Sequence, residues 1–178
     1  MNIRLRDTKI RPYTPADLPV VLEKHKELYA KEFNYPPGPF GEAVSNGLDH
    51  FANGGSGMMW IAEHQSKPES DDKEVVWAGS IAVVSTESTG RLRFMLVAPE
   101  FRSCGLGRQL MDTALNYRLE KNCKRMTLST TGDCVSAHRL YKRYGLRVVD
   151  VTQGTSWGDA MTHEWWERDL EEVDAPVK

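Results

Sequence analysis

One segment constrains this chain more than any other. Val97-Ala98-Pro99-Glu100-Phe101-Arg102-Ser103-Cys104-Gly105-Leu106-Gly107 passes from the end of a strand through a proline turn into a helical pattern. A helix that begins this way offers free backbone N–H groups and the positive end of its dipole. Gly105 and Gly107 remove side chains where an anionic ligand, such as a pyrophosphate, would approach the backbone. Arg102 and Arg108 add positive charge beside it. A Walker loop is excluded, because Arg108-Gln109 follows the last glycine instead of Lys-Ser/Thr. A dinucleotide fingerprint is excluded, because Leu110 stands where a small residue is needed. On glycine spacing alone the segment is equally an ordinary helix start.

The rest of the chain alternates between the two periodicities. Thr8–Tyr13 reads as a strand. Thr14, Pro15 and Asp17 have the chemistry of a helix N-cap, first position and first turn. Leu18, Val21, Leu22, His25, Leu28 and Tyr29 follow at helical spacing. Asn34–Gly41 holds three prolines and two glycines and is expected as a loop before a second helix, Glu42–Ala52. Met58–His64, Glu74–Thr86 and Arg91–Val97 read as strands, the last two as a hairpin across Glu87–Gly90. The polar run Gln65–Lys73 reads as a loop. Beyond the glycine turn come helix Gly105–Lys121, strand Lys124–Thr130 and helix Cys134–Tyr144, stopped by Gly145. Leu146–Val151 and Met161–Arg168 close the sheet, with Gly154–Ala160 as a loop between them. The order βααβββαβαββ predicts an α/β fold: a mixed, mostly antiparallel sheet with helices on both faces.

A chain of 178 residues suits one domain, expected over 1–172, with 173–178 as a disordered tail. The net charge of -2 gives no overall basic field, which argues against nucleic acid as a partner. No apolar run reaches spanning length and no cleavable leader is apparent, so a cytoplasmic protein without membrane contact is expected. Cys104, Cys123 and Cys134 are an odd set without metal-ligand spacing and read as reduced thiols. The histidines form no HExxH pattern, so no metal is expected.

Val-x-Pro-x-x-Arg-x-x-Gly-x-Gly after a hairpin strand resembles the coenzyme A motif of the GNAT N-acetyltransferase superfamily. Ala137-His138-Arg139-Leu140-Tyr141-Lys142-Arg143-Tyr144-Gly145-Leu146 is similar to its second motif, A-x-x-LY-x-x-x-GF, with Leu146 in place of Phe. His25-x-x-Leu28-Tyr29-x-x-Glu32-Phe33, Trp157-Gly158 and Trp165/Trp166 resemble the acetyltransferase half of MarR-type regulator–acetyltransferase fusions. The winged-helix half has no counterpart here, so a stand-alone relative is expected.

The resemblance implies that acetyl-CoA is the cosubstrate, held by Leu96, Val97, Arg102, Ser103, Cys104, Gly105, Leu106, Gly107, Arg108 and Cys134. Backbone amides near Leu96 and Val97 would hold the thioester carbonyl, across an opening between that strand and Lys124–Thr130. Tyr141 matches the family's tyrosine acid; its other reading is packing, since Ala137, Leu140, Tyr141 and Tyr144 share one helix face. Tyr144 is read as core. Cys134 stands where the family has an asparagine. The glutamate base that many relatives carry on the motif strand or the next is missing, those strands offering Arg91, Arg93 and Ser129.

His25, Tyr29 and Glu32 share one face of the first helix. They are candidates for the acceptor site, His25 as base with a pKa near 6.5, Tyr29 and Glu32 as binding residues for a cationic amine. Alternatively His25 is a core residue and Glu32 is solvated. The expected reaction is direct attack of a small-molecule amine on acetyl-CoA. A protein or peptide acceptor and a CoA-binding sensor without turnover are the alternatives, and a homodimer is allowed.

Overall fold

The computed structural model describes residues 5–66, 74–156 and 159–170. The tail 173–178, most of the polar run after Gln65, and Trp157-Gly158 lie outside them. The strands are β1 (Thr8–Pro12), β2 (Gly57–Gln65), β3 (Val75–Thr86), β4 (Thr89–Val97), β5 (Arg125–Thr131), β6 (Arg147–Ser156) and β7 (Asp159–Asp169). The helices are α1 (Leu18–Phe33), α2 (Pro37–Ala52), α3 (Leu106–Glu120) and α4 (Val135–Arg143). The strands form one sheet in the order β1-β2-β3-β4-β5-β7-β6. Every neighbouring pair is antiparallel except β4 with β5. The expected α/β order is the observed one.

Period-two alternation builds the two cores. In β2, Met59 and Ile61 face a cluster with Val21, Phe40, Val44, Leu48 and Phe51 of α1 and α2. Trp60 and Ala62 face the opposite cluster, with Leu106, Leu110, Met111 and Ala114 of α3. In β3, Ala82 joins the first cluster while Ile81 and Val83 join the second. Helices therefore cover both faces, and the sheet is buried between them.

Three boundaries differ from the sequence expectations, each for a local reason. The proline-rich segment after Asn34 is not all loop: α2 already begins at Pro37. Pro37 and Pro39 occupy the first turn, where an N–H has no intrahelical acceptor, so their missing donors cost nothing. The first helix is preceded by a 3-10 turn at Pro15–Asp17. There the Asp17 carboxylate accepts from the Thr14 N–H at 2.6 Å and from Arg11 at 2.8 Å. Between β6 and β7 the ladder runs on to Ser156↔Asp159, so most of the expected Gly154–Ala160 loop is strand.

The irregularity that positions everything else is in β4. Arg93 pairs with Ala82 and Leu96 with Ser80, so Phe94 and Met95 oppose Ile81 alone. This is a β-bulge. Phe94 has φ 51, a left-handed conformation that costs a side-chain-bearing residue about 1–2 kcal/mol. The fully buried Ser80 hydroxyl donates to the Phe94 carbonyl at 2.8 Å. The Phe94 ring is wedged edge-on against His25 and Phe51. On its other side β4 pairs with β5 only at Thr89–Arg91, and the two strands then part.

Ser80→Ala removes the donor and strands a carbonyl in a dry interior. It is expected to lower unfolding stability by about 1–3 kcal/mol, read by urea titration. A midpoint equal to that of the unsubstituted protein would show that the bulge does not depend on this bond.

Candidate functional site

Two cavities open into the gap between β4 and β5, one from each side. The first, of about 340 Å³, lies below the glycine turn; its walls include Glu32, Val97, Arg102, Ser103, Gly107 and Leu140. The second, of about 210 Å³, lies on the far side; its walls include His25, Tyr35, Phe40, Arg93, Ser129 and Tyr141. Tyr29, Met95 and Cys134 border both. A molecule in one cavity can therefore meet a molecule in the other at this junction.

The turn-side cavity has the features of an anion site continued by an open strand edge. Ser103 and Gly105 both take positive φ, 61 and 99, and fold the chain back onto the start of α3. The N–H groups of Arg108 and Gln109 bond the Gly105 carbonyl at 3.0 and 3.2 Å. Those of residues 105–107 have no backbone acceptor among the described residues. Ala98 N–H bonds Ala78 at 3.0 Å, so by antiparallel alternation Leu96 also turns its polar groups to β3. Val97 then turns its N–H to the gap, while its carbonyl accepts from Arg102 Nε. Of the two residues expected to offer amides there, the structure favours Val97, while Leu96 contributes a wall.

The other turn residues divide by role. Leu106 is buried in the core, and the Cys104 thiol is spent on the Phe101 carbonyl at 2.9 Å. Arg108 is exposed and off the cavity wall. Arg102 lies on the wall, but its guanidinium is engaged: Nε donates to the Val97 carbonyl at 2.9 Å and both Nη atoms to Glu32 at 2.8 and 2.9 Å. Leu28 and Phe33 of the α1 motif also line the wall, as do Met95 and Ser136, which no motif contains.

Glu32 is the residue whose expected place is corrected. It does not border the far cavity. A helix rises about 1.5 Å per residue, so Glu32 stands about 10 Å along α1 from His25. The helix crosses the gap: His25 lies on the far side, Tyr29 at the junction and Glu32 on the turn side. Shared face does not mean shared cavity.

The far cavity is aromatic, hydroxylated and free of carboxylates among its lining residues. His25 is buried; its Nδ1 lies 2.8 Å from the Val21 carbonyl and so carries the proton. Burial lowers its pKa to about 4, against which the Val21 bond raises it only in part. The sequence expectation of a base titrating near 6.5 is thus corrected: the ring stays neutral far below that pH. Burial also holds Tyr29 and Tyr141 well above the usual tyrosine range and Tyr35 at about 12. Tyr35 bonds the Thr131 hydroxyl at 2.6 Å. No hydrogen bond holds the Tyr141 hydroxyl among the described residues; its ring packs edge-on against Trp166. Tyr144, expected in the core, is half-buried and bonds Asp112 and the Arg108 carbonyl, tying α4 to α3.

The fold has counterparts among known proteins. The family model described as the acetyltransferase (GNAT) domain matches residues 55–147. A mycothiol acetyltransferase of Corynebacterium jeikeium is 32% identical over 107 residues, covering 58% of this chain and 29% of that protein. The chain thus matches less than a third of that relative's length. A Staphylococcus aureus GNAT-family acetyltransferase superposes with a TM-score of 0.69, at 20% identity over 92% of this chain and 99% of the other. Spermidine N-acetyltransferase from Vibrio cholerae, solved with CoA and spermine, gives 0.64 at 14% identity, over 92% and 96%. Arabidopsis thaliana NAA60 with a bisubstrate analogue gives 0.66 at 20%, over 91% and 97%.

The buried, neutral His25 has a measurable consequence. Its folded pKa of about 4 lies below the unfolded value of about 6.5. In that window the unfolded chain takes up a proton that the folded chain refuses. Stability is full above pH 6.5 and falls as the pH drops toward 4, by about 3 kcal/mol. Urea midpoints for His25→Gln are expected to fall less steeply over this range. Parallel curves would show that His25 is charged in the folded protein.

Proposed function

The chain belongs to the acetyltransferase (GNAT) family, and from that premise we propose that it moves an acetyl group from acetyl-CoA onto a small-molecule amine, with both substrates bound together. The observation that carries this is the pair of cavities meeting at Tyr29, Met95 and Cys134. The residues fit acetyl-CoA. The N–H groups at residues 105–107, without backbone acceptors among the described residues, suit a pyrophosphate, and the Val97 N–H on the β4 edge that β5 leaves open suits a carbonyl of a pantetheine arm. This cosubstrate supplies an activated acetyl thioester.

The chain's own groups then have separate tasks. Val97 N–H points into the gap, where it can donate to a carbonyl oxygen that gains charge. Tyr141, kept protonated by burial, donates a hydrogen bond to the departing sulfur. His25 keeps an Nε2 lone pair and can accept from the incoming amine, and the proton the amine sheds passes to water. Cys134 packs at the junction beside the Thr131 hydroxyl, 3.4 Å away. Direct transfer asks for no acyl-enzyme.

Tyr35 and Phe40 wall the far cavity, which supports a small acceptor over a peptide needing an open groove. We assign the protein to the cytoplasm, consistent with three free cysteines. The likeness to the MarR-fusion enzymes rests on the α1 and tryptophan motifs and belongs to this proposal.

A thiol-release screen over amines and peptides tests the activity. Turnover on a small amine supports it; saturable acetyl-CoA binding with no turnover on anything favours a sensor. Tyr141→Phe is expected to lower kcat about a hundredfold with coenzyme affinity kept. Near-normal turnover with a lower melting temperature would make Tyr141 a packing residue. Glu32→Gln is expected to tighten acetyl-CoA binding by about two- to fivefold, since it frees Arg102 and removes a negative charge beside the pyrophosphate site. A higher KM for the acceptor with unchanged coenzyme affinity would return Glu32 to the acceptor side.

A further inference from the structure

We infer that the acceptor carries a carboxylate as well as its amine, and that Arg93 binds that carboxylate, so the substrate class is amino acids or similar amino-carboxylates. This rests on the reading of the far cavity as the acceptor site.

Arg93 borders that cavity on β4, two residues before Met95 at the junction. It is half-buried. Among the described residues no carboxylate, carbonyl or hydroxyl accepts a hydrogen bond from it. Other arginines of the fold are matched: Arg11 with Asp17 and Glu63, Arg102 with Glu32, Arg125 with Asp169. Even Arg91, its neighbour on the same face of β4, bonds Ser129 at 3.0 Å and lies over Trp165. Burial, and after it the positive charge of Arg91, push the Arg93 pKa below its usual value. A part-buried cation without an anion is costly, and such a group is retained where a ligand completes it.

The guanidinium is also held in place. It stacks on the Phe94 ring, 4.9 Å from the centroid. It packs against the backbone of α2 at Gly47, where a Cβ would stand 2.4 Å from Nη2. Glycine in a helix interior is unfavourable by about 1 kcal/mol, and here its missing side chain is the space the guanidinium fills. The same cavity lining contains no Asp or Glu to balance the charge. The planar fork of Arg matches a carboxylate with two parallel hydrogen bonds.

With the acceptor's carboxylate paired to Arg93, the lining holds no further carboxylate to stabilise its ammonium, and the His25 lone pair can accept from the amine as its proton passes to water. A polyamine would set a second cation against Arg93. Two residues of chain span at most about 7 Å, less across the bulge at Phe94, so a carboxylate at Arg93 and an amine beside Met95 fit one amino-acid-sized molecule.

Matched pairs test this: L-phenylalanine with 2-phenylethylamine, L-ornithine with putrescine, β-alanine with ethylamine, extended to the remaining common amino acids. Each is scored by melting shift in the presence of CoA and by thiol release with acetyl-CoA. The acid of at least one pair is expected to exceed its decarboxylated partner by tenfold or more. Arg93→Gln should cut that ratio at least tenfold, mainly through KM, while calorimetric titration with acetyl-CoA confirms a folded protein. Gly47→Ala, which favours the helix but displaces the guanidinium, should cut the ratio in the same direction. Preference for the decarboxylated amines, an acid preference that survives Arg93→Gln, or no shift from any acid would overturn the inference. Loss of acetyl-CoA binding in the unsubstituted protein would instead remove the reading beneath it.

Discussion

The site depends on the bulge at Phe94. A regular β4 would pair with β5 along its whole length, and no gap would lie between them. Two residues against Ile81 turn the strand, and the ladder to β5 ends after Arg91. The strained backbone is held by the Ser80 hydroxyl beneath and by the ring packed between His25 and Phe51 above. From this one irregularity follow the exposed edge at Val97, the junction of two cavities at Met95, and the inward aim of Arg93. The fold stores strain at the place where chemistry needs an opening.

Charge is distributed unevenly around that opening. On the turn side, the fixed cation Arg102 is held by Glu32, so α1 is latched to the turn by a bidentate pair at the mouth of the cavity. On the far side, Arg93 has no such partner among the described residues. Among the described residues the N–H groups of residues 105–107, at the start of α3, have no backbone acceptor, which leaves them available to an anion. Helix α1 touches both cavities, and a displacement of its latch at Glu32 would be felt at Tyr29 and His25.

Much of this was legible in the residues. The strand–turn–helix passage is legible because glycine marks a turn, and Gly105 does take φ 99. The positions of the strands along the chain are legible from period-two patterning. Tyr141 was marked by motif, and its burial at the far cavity is compatible with that marking. The misread parts share a cause: local spacing carries no information on what lies across the fold. Glu32 shares a helix face with His25, but the rise of the helix carries it past the gap. Pro37 and Pro39 looked like loop residues because proline breaks a helix everywhere except its first turn. An ordinary pKa for His25 fails because burial cannot be read from one helix. Arg93 was noted only as the absence of a carboxylate, since its significance needs Gly47 and Phe94 around it.

The central claim is that the turn-side cavity holds acetyl-CoA and leads to the gap at Met95. It is tested most directly by calorimetric titration of acetyl-CoA into the protein and into Gly107→Leu. A Cβ at Gly107 meets its neighbours only at ordinary contact distance, 3.5 Å from Leu140 and Met95, and the larger side chain projects into the cavity. The expected result is saturable one-to-one binding to the unsubstituted protein and its loss in a Gly107→Leu variant that still melts cooperatively near the same temperature. No binding heat with the unsubstituted protein, or equal affinity in the variant, would contradict the account.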